Sequence, residues 1–318
     1  MSLDRIRLAS LHNKVMSAEQ AATFIQDGMT VGMSGFTRAG EAKAVPLALV
    51  AQAQENPLKI TLITGASLGN DLDKKLTEAG VLARRLPFQV DNTLRKAINK
   101  GEVMFIDQHL SETVEQMRNK QLKKPDIAVI EAVAITEDGG IIPTTSVGNS
   151  ASFAIFAEKV IVEINTNLSP AFEGLHDIYI PSYRPTRQPI PLTEVDERIG
   201  TQAINIDPSK IVGIVINSEF HDSPSTVTEP DDETQGIATH LIAFLEKEVE
   251  DGRLPPNLGP LQAGIGSIAN AVLTGLKDSP FEDLVMYSEV LQDCTFELID
   301  AGKMKFASGS SITLSAKY

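Results

Sequence analysis

The stretch DIAVIEAVAI, residues 126–135, decides the fold class of this chain. It is mostly apolar and lacks the strict alternation of a half-exposed strand, which is typical of a strand buried on both faces. Similar short runs rich in β-branched residues occur at MTVGM (29–33), KITLIT (59–64), VMFI (103–106), KVIVEI (159–164) and KIVGIVI (210–216). Several strands of this kind predict a largely parallel sheet.

Segments with the apolar spacing of helices alternate with these runs, at SAEQAATFIQDG (17–28), PLALVAQAQ (46–54) and DNTLRKAINKG (91–101). In the first of them, Ser17 and Gln20 have the spacing of a capping box, and Gly28 suits a C-terminal cap. Because strands and helices alternate along the chain, we predict an open α/β domain with helices packed on a mostly parallel sheet.

A second α/β domain is predicted after a stretch rich in Ser, Thr, Pro and acidic residues. A chain of 318 residues exceeds the size at which one hydrophobic core stops growing. We therefore place a first domain at 1–220, a linker at 221–234 and a second domain at 235–318. The roughly 85 residues of the second domain are near the low end for an autonomous core, so we expect that domain to be incomplete.

The composition argues against several classes of protein. A net charge of −14 leaves no basic field for a polyanion, so we expect no nucleic-acid partner. The single cysteine, Cys294, excludes an intramolecular disulfide framework, and it is better explained as a small buried residue than as a nucleophile. No run approaches 18 apolar residues, which predicts no membrane span. We expect a cytoplasmic or similarly reducing location.

Three predicted strands run into glycine-containing loops that open helices, at GMSGFTRAGEAK (32–43), TGASLGND (64–71) and AGIGSIAN (263–270). Glycine lets backbone N–H groups approach an anion, and a helix N-terminus adds partial positive charge. Ser34, Thr37, Arg38 and Lys43 add side-chain donors to the first loop. One such loop is also what a tight strand–helix turn looks like, but three together favour a phosphate-bearing ligand.

The segment DLVMYSEVLQD (283–293) places Glu289 where a predicted strand ends, and three interpretations stay open. Glu289 is a surface or helix-capping acid, or it binds a ribose after the G-x-G-x-x-A pattern that begins at Gly264. The sequence before that loop contains no clear buried strand, which argues against ribose binding. In the third interpretation Glu289 is a nucleophile beside a glycine loop whose N–H groups stabilise an oxyanion.

Four segments in order resemble the acetyl-CoA hydrolase/transferase family, namely GFTRAGEAKAVPLAL (35–49), EDGGIIPTTSVGNS (137–150), LQAGIGSIANAVLTGL (261–276) and YSEVLQD (287–293). This family contains class I coenzyme A transferases that act on small acyl-CoAs such as acetyl-, propionyl- and succinyl-CoA. The resemblance implies two α/β domains of CoA-transferase type, and it runs from about residue 5 to the end of the sequence.

The resemblance also implies roles for particular residues. Glu289 would be the nucleophile, forming an acyl-glutamyl anhydride and then a glutamyl-CoA thioester. Substrate, CoA or oxyanion contacts would come from Gly264, Gly266, Ser267, Asn270, Gly35, Thr37 and Arg38. Ser146, Gly148 and Asn149 would shape a loop or contact the ligand. No metal and no cofactor is implied beyond coenzyme A as substrate, and the family suggests a homodimer.

Two further functions stay open beside transfer to a small carboxylate. One is hydrolysis of the acyl-CoA, in which water replaces the acceptor. The other is a catalytically incomplete subunit that binds CoA or a nucleotide. Since family members usually carry a longer second domain, we expect a partial chain, with a second chain as a possible source of the missing part.

Overall fold

The computed structural model of this chain describes residues 3–225 and 230–317. The fold divides into two compact units. The first extends to Ile190 and includes Ile199–Ser223, and the second combines Pro191–Arg198 with the chain from Pro224 onward. The boundary after Ser223 lies inside the stretch predicted as a linker.

The first unit alternates strands and helices, in the order α1 (Ala18–Ala22), β1 (Thr30–Met33), α2 (Ala44–Glu55), β2 (Ile60–Ile63), α3 (Leu72–Glu78), β3 (Leu82–Leu86), α4 (Asn92–Asn99), β4 (Met104–Phe105), α5 (Leu110–Arg118), β5 (Ile127–Ile135), β6 (Ile141–Pro143), α6 (Ser150–Phe156), β7 (Lys159–Asn165) and β8 (Ile211–Asn217). Short 3-10 helices occur at Leu3–Arg5, Ala9–Lys14, Pro170–Phe172 and Pro208–Lys210.

The strands form one sheet in the order β4-β3-β2-β1-β5-β7-β8, and all of these neighbours are parallel. β6 pairs with β5 in the antiparallel direction. The chain runs outward from β1 to β4 and then returns to the other side of β1 with β5. The loops after β1 and β5 therefore lie at a topological switch point, where open α/β sheets bind ligands.

Every residue of β5 is buried, because both faces of the sheet are covered. Ile127 and Val129 belong to one hydrophobic cluster, whereas Ala128 and Ile130 belong to another. Alternate side chains of a strand point to opposite faces, so the two clusters lie on opposite faces of the sheet. This explains the continuous apolar run and confirms the predicted α/β fold class.

Two local features differ from the predictions. The capping box of Ser17 and Gln20 is present, but α1 ends at Ala22 rather than at Gly28, which has φ +77° in the turn before β1. The sequence prediction also missed β3, whose Arg85 is buried. Arg85 fits the interior because its Nε and Nη2 donate to the two carboxylate oxygens of Asp73, at 2.8 and 3.1 Å.

The segment before α1 also joins the sheet. Ile6 forms a parallel bridge with Ile135, and Val15 forms one with Ile214. The N–H of Met16 donates to the carbonyl of Ile214 at 2.9 Å. The start of the first unit is therefore hydrogen-bonded to β5 and to β8, its last strand.

The second unit contains α7 (Asp232–Glu250), β9 (Pro260–Leu261), α8 (Ser267–Leu276), β10 (Leu284–Tyr287), β11 (Val290–Leu291), α9 (Asp293–Asp300), β12 (Met304–Ser308) and β13 (Ser311–Ile312). Its strands pair in parallel as β12-β10-β9 and as β11-β13. Its helices and strands share one hydrophobic cluster that includes Leu273, Leu284 and Leu298. Across both described ranges of the chain, no helix is long and apolar enough to cross a membrane.

Candidate active site

Glu289 lies in the second unit, on the short bend that separates β10 from β11. Its side chain is exposed. Its carbonyl oxygen accepts hydrogen bonds from the N–H groups of Ser310 at 2.9 Å and Ser311 at 3.3 Å, and the N–H of Ser288 donates to the carbonyl of Ser308 at 2.8 Å. The backbone of Glu289 is therefore fixed, while its carboxylate is open to a ligand.

The glycine loop before α8 is hydrogen-bonded to both flanks of Glu289. The hydroxyl of Ser288 donates to the carbonyl of Ala263 at 3.1 Å and accepts from its N–H at 3.4 Å. On the other flank, Nε2 of Gln292 donates to the carbonyl of Gly264 at 3.3 Å. Because Glu289 lies between Ser288 and Gln292 in the chain, these bonds hold the acid beside the loop.

Gly264 and Gly266 leave open space on this loop. Apart from its two chain neighbours, a Cβ atom placed on either glycine would meet no heavy atom of the described residues within 4 Å. Gly266 also has φ +139° and occupies the N-cap position of α8, so it offers no capping side chain. The first N–H groups of a helix lack intrahelical partners and carry partial positive charge. The loop therefore has room for a ligand and donors that suit an oxyanion.

Ser267 and Asn270 lie on the first turn of α8 and are half-buried. The Oδ1 atom of Asn270 accepts from the thiol of Cys294, with 3.7 Å between oxygen and sulfur. Burial raises the pKa of Cys294 to about 11. The thiol is therefore protonated at neutral pH and is a poor nucleophile, since the thiolate is the reactive form.

In the first unit, the loop that follows β1 carries Gly35, Thr37 and Arg38. Thr37 and Arg38 have φ +51° and +68°, a conformation that is unfavourable for residues with a side chain. Phe36 and Ala39 close the turn through two backbone hydrogen bonds of 2.9 and 3.1 Å. Arg38 is exposed and forms no salt bridge within the described ranges of the chain.

The glycines of this loop are tightly packed. A Cβ atom on Gly35 would lie 2.8 Å from the Cβ of Glu41, and one on Gly40 would overlap the hydroxyl of Ser146. That hydroxyl donates to the carbonyl of Ala39 at 2.8 Å. Ser146, from the EDGGIIPTTSVGNS segment, therefore contacts the first glycine loop directly.

A buried cluster of charges lies beneath the same loop. Lys43 is fully buried, and its ammonium forms salt bridges with Glu131 and with Asp222, the latter at 2.7 Å. The ammonium also donates to the carbonyl of Glu41 at 2.7 Å. Glu163 accepts instead from the backbone N–H groups at the start of α2, at 2.8, 2.9 and 3.1 Å. Glu163 therefore caps α2, which follows the glycine loop.

The cluster contains more carboxyl groups than cations, and this shifts its pKa values. Burial alone would lower the pKa of Lys43, but the charges of Glu131 and Asp222 outweigh it and the pKa is raised. Burial raises the pKa of Glu131 to about 8 and also raises that of Glu41, although Lys43 opposes both changes. One oxygen of Glu41 accepts from Asn70 at 2.8 Å, and the other is buried without a hydrogen-bond partner among the described residues.

The prediction that Ser34 and Lys43 offer donors to a ligand is wrong. Both side chains are buried, Lys43 in the charge cluster and Ser34 as acceptor of the Glu131 N–H at 2.9 Å. The carboxyl groups that surround Lys43 were not predicted from the sequence. A signal for them exists, because Glu131 and Glu163 are single acids within otherwise apolar strand segments, and a buried acid needs a partner.

The prediction that no clear buried strand precedes the third glycine loop is confirmed, because the strand found there has two residues and neither is buried. β9 precedes that loop and pairs in parallel with β10, although it is only Pro260–Leu261. Two residues give too little apolar sequence to be visible as a buried strand. The β9–α8–β10 unit is compatible with a ribose-binding Glu289 and with a nucleophilic Glu289. The family to which the chain belongs is needed to choose between these two roles.

Comparison with known proteins identifies that family. Residues 2–216 match the acetyl-CoA hydrolase/transferase N-terminal domain. This chain belongs to the acetyl-CoA hydrolase/transferase family. Curated relatives extend the similarity through the second unit. The chain is 46% identical over 311 residues to the succinyl-CoA:acetate CoA-transferase of Clostridium kluyveri and 43% identical over 322 residues to the acetyl-CoA hydrolase of Kluyveromyces lactis.

These alignments cover 97% and 98% of this chain. They cover 58% and 61% of the two relatives, so the chain spans about three fifths of their length. Among solved structures, RipA from Yersinia pestis superposes with a TM-score of 0.67 at 19% identity, over 95% of this chain and 68% of RipA. At that identity the superposition shows a shared α/β fold.

Proposed function

We propose that this chain transfers coenzyme A between a short-chain acyl-CoA and a small carboxylate, with Glu289 as the nucleophile. The observation that carries the proposal is the position of Glu289, which is exposed on a fixed backbone beside a glycine loop with open space. The curated relatives are named for reactions of acyl-CoA thioesters, which supports the substrate class.

The reaction proceeds in covalent steps at Glu289. The carboxylate attacks the thioester carbonyl, the C–S bond breaks, and an acyl-glutamyl anhydride and CoA thiolate result. The thiolate then attacks the glutamyl carbonyl, which releases the first carboxylate and leaves a glutamyl-CoA thioester. The acceptor carboxylate attacks that thioester to give a new anhydride and thiolate. A final thiolate attack on the acyl carbonyl forms the new acyl-CoA and frees Glu289.

Each attack places negative charge on a carbonyl oxygen, which a suitable loop must stabilise. In the second unit we assign this stabilisation to the loop from Gly264 to Ser267, and we assign Asn270 to a contact with the ligand. Backbone N–H groups directed at a developing oxyanion typically lower the barrier by about 3–4 kcal/mol. No step requires a metal or a cofactor other than coenzyme A as substrate.

In the first unit we assign Gly35, Thr37 and Arg38 to contacts with the same class of ligand. Their loop follows β1 at the topological switch point of the sheet, where α/β proteins bind ligands. Arg38 adds an exposed guanidinium, and guanidinium groups bind phosphates well. The phosphates of an acyl-CoA are therefore suitable partners for Arg38.

Hydrolysis of the acyl-CoA is the second candidate, because several of the similar proteins are named acetyl-CoA hydrolases. Water would then resolve the glutamyl intermediate in place of a carboxylate. Thioester loss measured with and without acetate or succinate separates the two functions. Turnover that needs the added carboxylate supports transfer, and turnover independent of it supports hydrolysis.

Intact mass spectrometry after incubation with acetyl-, propionyl- or succinyl-CoA tests the nucleophile. We expect a covalent CoA adduct on the unaltered chain and none on Glu289→Ala, because the variant lacks the attacking carboxylate. Glu282→Gln is a matched control, since Glu282 is an exposed acid just before β10. Equal adduct on Glu289→Ala would overturn the assignment, and the acyl-CoA that gives most adduct identifies the favoured substrate.

A homodimer and a cytoplasmic location, which the family resemblance suggests, stay predictions. Size-exclusion chromatography with light scattering tests the first, and localisation of a tagged chain in its source cells tests the second.

A further inference from the structure

Asp222 joins three loops of the first unit through one carboxylate. Its Oδ1 forms the salt bridge with Lys43 at 2.7 Å, and its Oδ2 accepts from the hydroxyl of Thr145 at 2.6 Å. The N–H of Gly40 lies 3.4 and 3.3 Å from the two oxygens. The glycine loop, the loop after β6 and the segment after β8 therefore meet at this side chain.

The segment that carries Asp222 is itself firmly held. Oδ1 of Asn217 accepts from the N–H groups of Glu219 and Phe220, both at 3.0 Å. The side chain of Asn70 donates to the carbonyl of His221 at 3.1 Å, and the N–H of Asn70 donates to the hydroxyl of Ser223 at 2.8 Å. A carboxylate on so constrained a backbone can fix the groups that bind it.

The glycine loop needs such support because its turn is strained. Thr37 and Arg38 occupy the left-handed region, which is unfavourable for residues with a side chain. Asp222 accepts hydrogen bonds from Gly40 and Lys43, and these bonds fix the end of the turn. Losing them would let the turn relax and move Arg38.

We propose that Asp222 is a positioning residue, which holds the glycine loop so that Arg38 presents its guanidinium to an anionic ligand. The ligand, on the function proposed above, is the phosphate-bearing part of an acyl-CoA. Asp222 is suited to this role because its side chain is 21% exposed and lies at the edge of the cluster, whereas Lys43 and Glu131 are fully buried. Asp222 acts on the ligand only through the loop.

A double-mutant cycle with Arg38→Ala and Asp222→Asn tests the proposal. If Asp222 acts through Arg38, each single variant raises the KM for acyl-CoA about tenfold, the size of one charged hydrogen bond, with little change in kcat. The double variant should then have the KM of Arg38→Ala alone, because a residue that acts through another adds nothing after its removal.

Asp207→Asn is the matched control. Asp207 is an exposed acid of the same unit that accepts from the N–H of Ser209 at 2.9 Å, and its loss should leave KM unchanged. Thr145→Val removes one hydrogen bond from Asp222 without changing the charge, and it should also raise KM. This variant replaces Asp222→Asn in the test if Asp222→Asn does not fold. Multiplied KM effects in the double variant, or an unchanged KM in both Asp222→Asn and Thr145→Val, would overturn the proposal.

Amide hydrogen exchange separates this proposal from the proposed function. We expect faster exchange in the peptide containing Gly40 for Asp222→Asn, or for Thr145→Val in its place, but not for Asp207→Asn. If the unaltered chain neither binds nor turns over acyl-CoA, the proposed function fails, yet this exchange still reports whether Asp222 holds the loop. Unchanged exchange at Gly40 would contradict the positioning role in either case.

Discussion

The two glycine loops use the same residue type for opposite reasons. In the first unit, Gly35 and Gly40 are required because neighbouring atoms, among them the hydroxyl of Ser146, already occupy the position of a side chain. In the second unit, Gly264 and Gly266 face open space. The first loop is thus shaped by internal packing, whereas the second keeps a volume free beside Glu289.

The supports of the two loops differ as well. The first loop lies on a buried salt-bridge cluster around Lys43, while the second is held by the neutral side chains of Ser288 and Gln292. Breaking a buried ion pair costs several kcal/mol, whereas a neutral hydrogen bond contributes about 1 kcal/mol. Substitutions of the fully buried groups that support the first loop should therefore act mainly on stability, and substitutions at the second loop mainly on activity.

The largest effect is expected for Lys43→Met. Removing the ammonium leaves the carboxyl groups of Glu131 and Asp222 without their cation, and we expect the first unit to lose about 3–5 kcal/mol of unfolding free energy. Urea denaturation followed by circular dichroism measures the change. Lys74→Met, at an exposed position on α3, is the control and should stay within about 0.5 kcal/mol. Equal stability of the two variants would refute the supporting role of the cluster.

Gly40→Ala and Gly264→Ala compare the two loops directly. At Gly40 the new methyl group overlaps Ser146 and the backbone has φ +68°, so we expect a loss of about 2–4 kcal/mol. At Gly264 the methyl group contacts none of the described residues beyond its chain neighbours, and stability should change by less than about 0.5 kcal/mol. If the open space receives the ligand, Gly264→Ala nevertheless lowers turnover. Normal turnover in that variant would show that the space is not used.

The smallest effect, taken over one pH unit, concerns the pH dependence of stability. The pKa of Glu131 is about 8 in the folded chain and near 4.5 when unfolded, so between these values the folded chain holds a proton that the unfolded chain has released. The contribution of Glu131 to the free energy of unfolding should therefore be largest below about pH 4.5 and fall as the pH rises to about 8. The slope is at most about 1.4 kcal/mol per pH unit.

Urea denaturation at a series of pH values measures this slope, and Glu131→Gln should flatten it because the amide does not titrate. A slope between pH 5 and 8 that is unchanged in Glu131→Gln would assign the bound proton to another group of the cluster.

Apart from β3 and β6, the sequence predicted the strands of the large sheet, and it predicted the glycine loops, because each depends on local information, namely apolar runs and glycine placement. A single acid in an apolar strand, Glu131, is visible in the sequence, but its partner is not, since Lys43 meets Glu131 and Asp222 only after distant segments are assembled. The position of Glu289 at a strand end was visible locally. Its contacts with the loop before α8 depend on Ser288 and Gln292, whose partners lie 25 and 28 residues away.

The bridges at the start of the first unit bear on how that unit folds. Ile6 pairs with Ile135, and Val15 pairs with Ile214, so these contacts join residues separated by more than a hundred positions. High contact order slows folding, because loop entropy is lost before the contacts form. During synthesis, Ile6 can pair only after β5 has left the ribosome, and Val15 only after β8 has, so the start of the first unit is completed by its last strand.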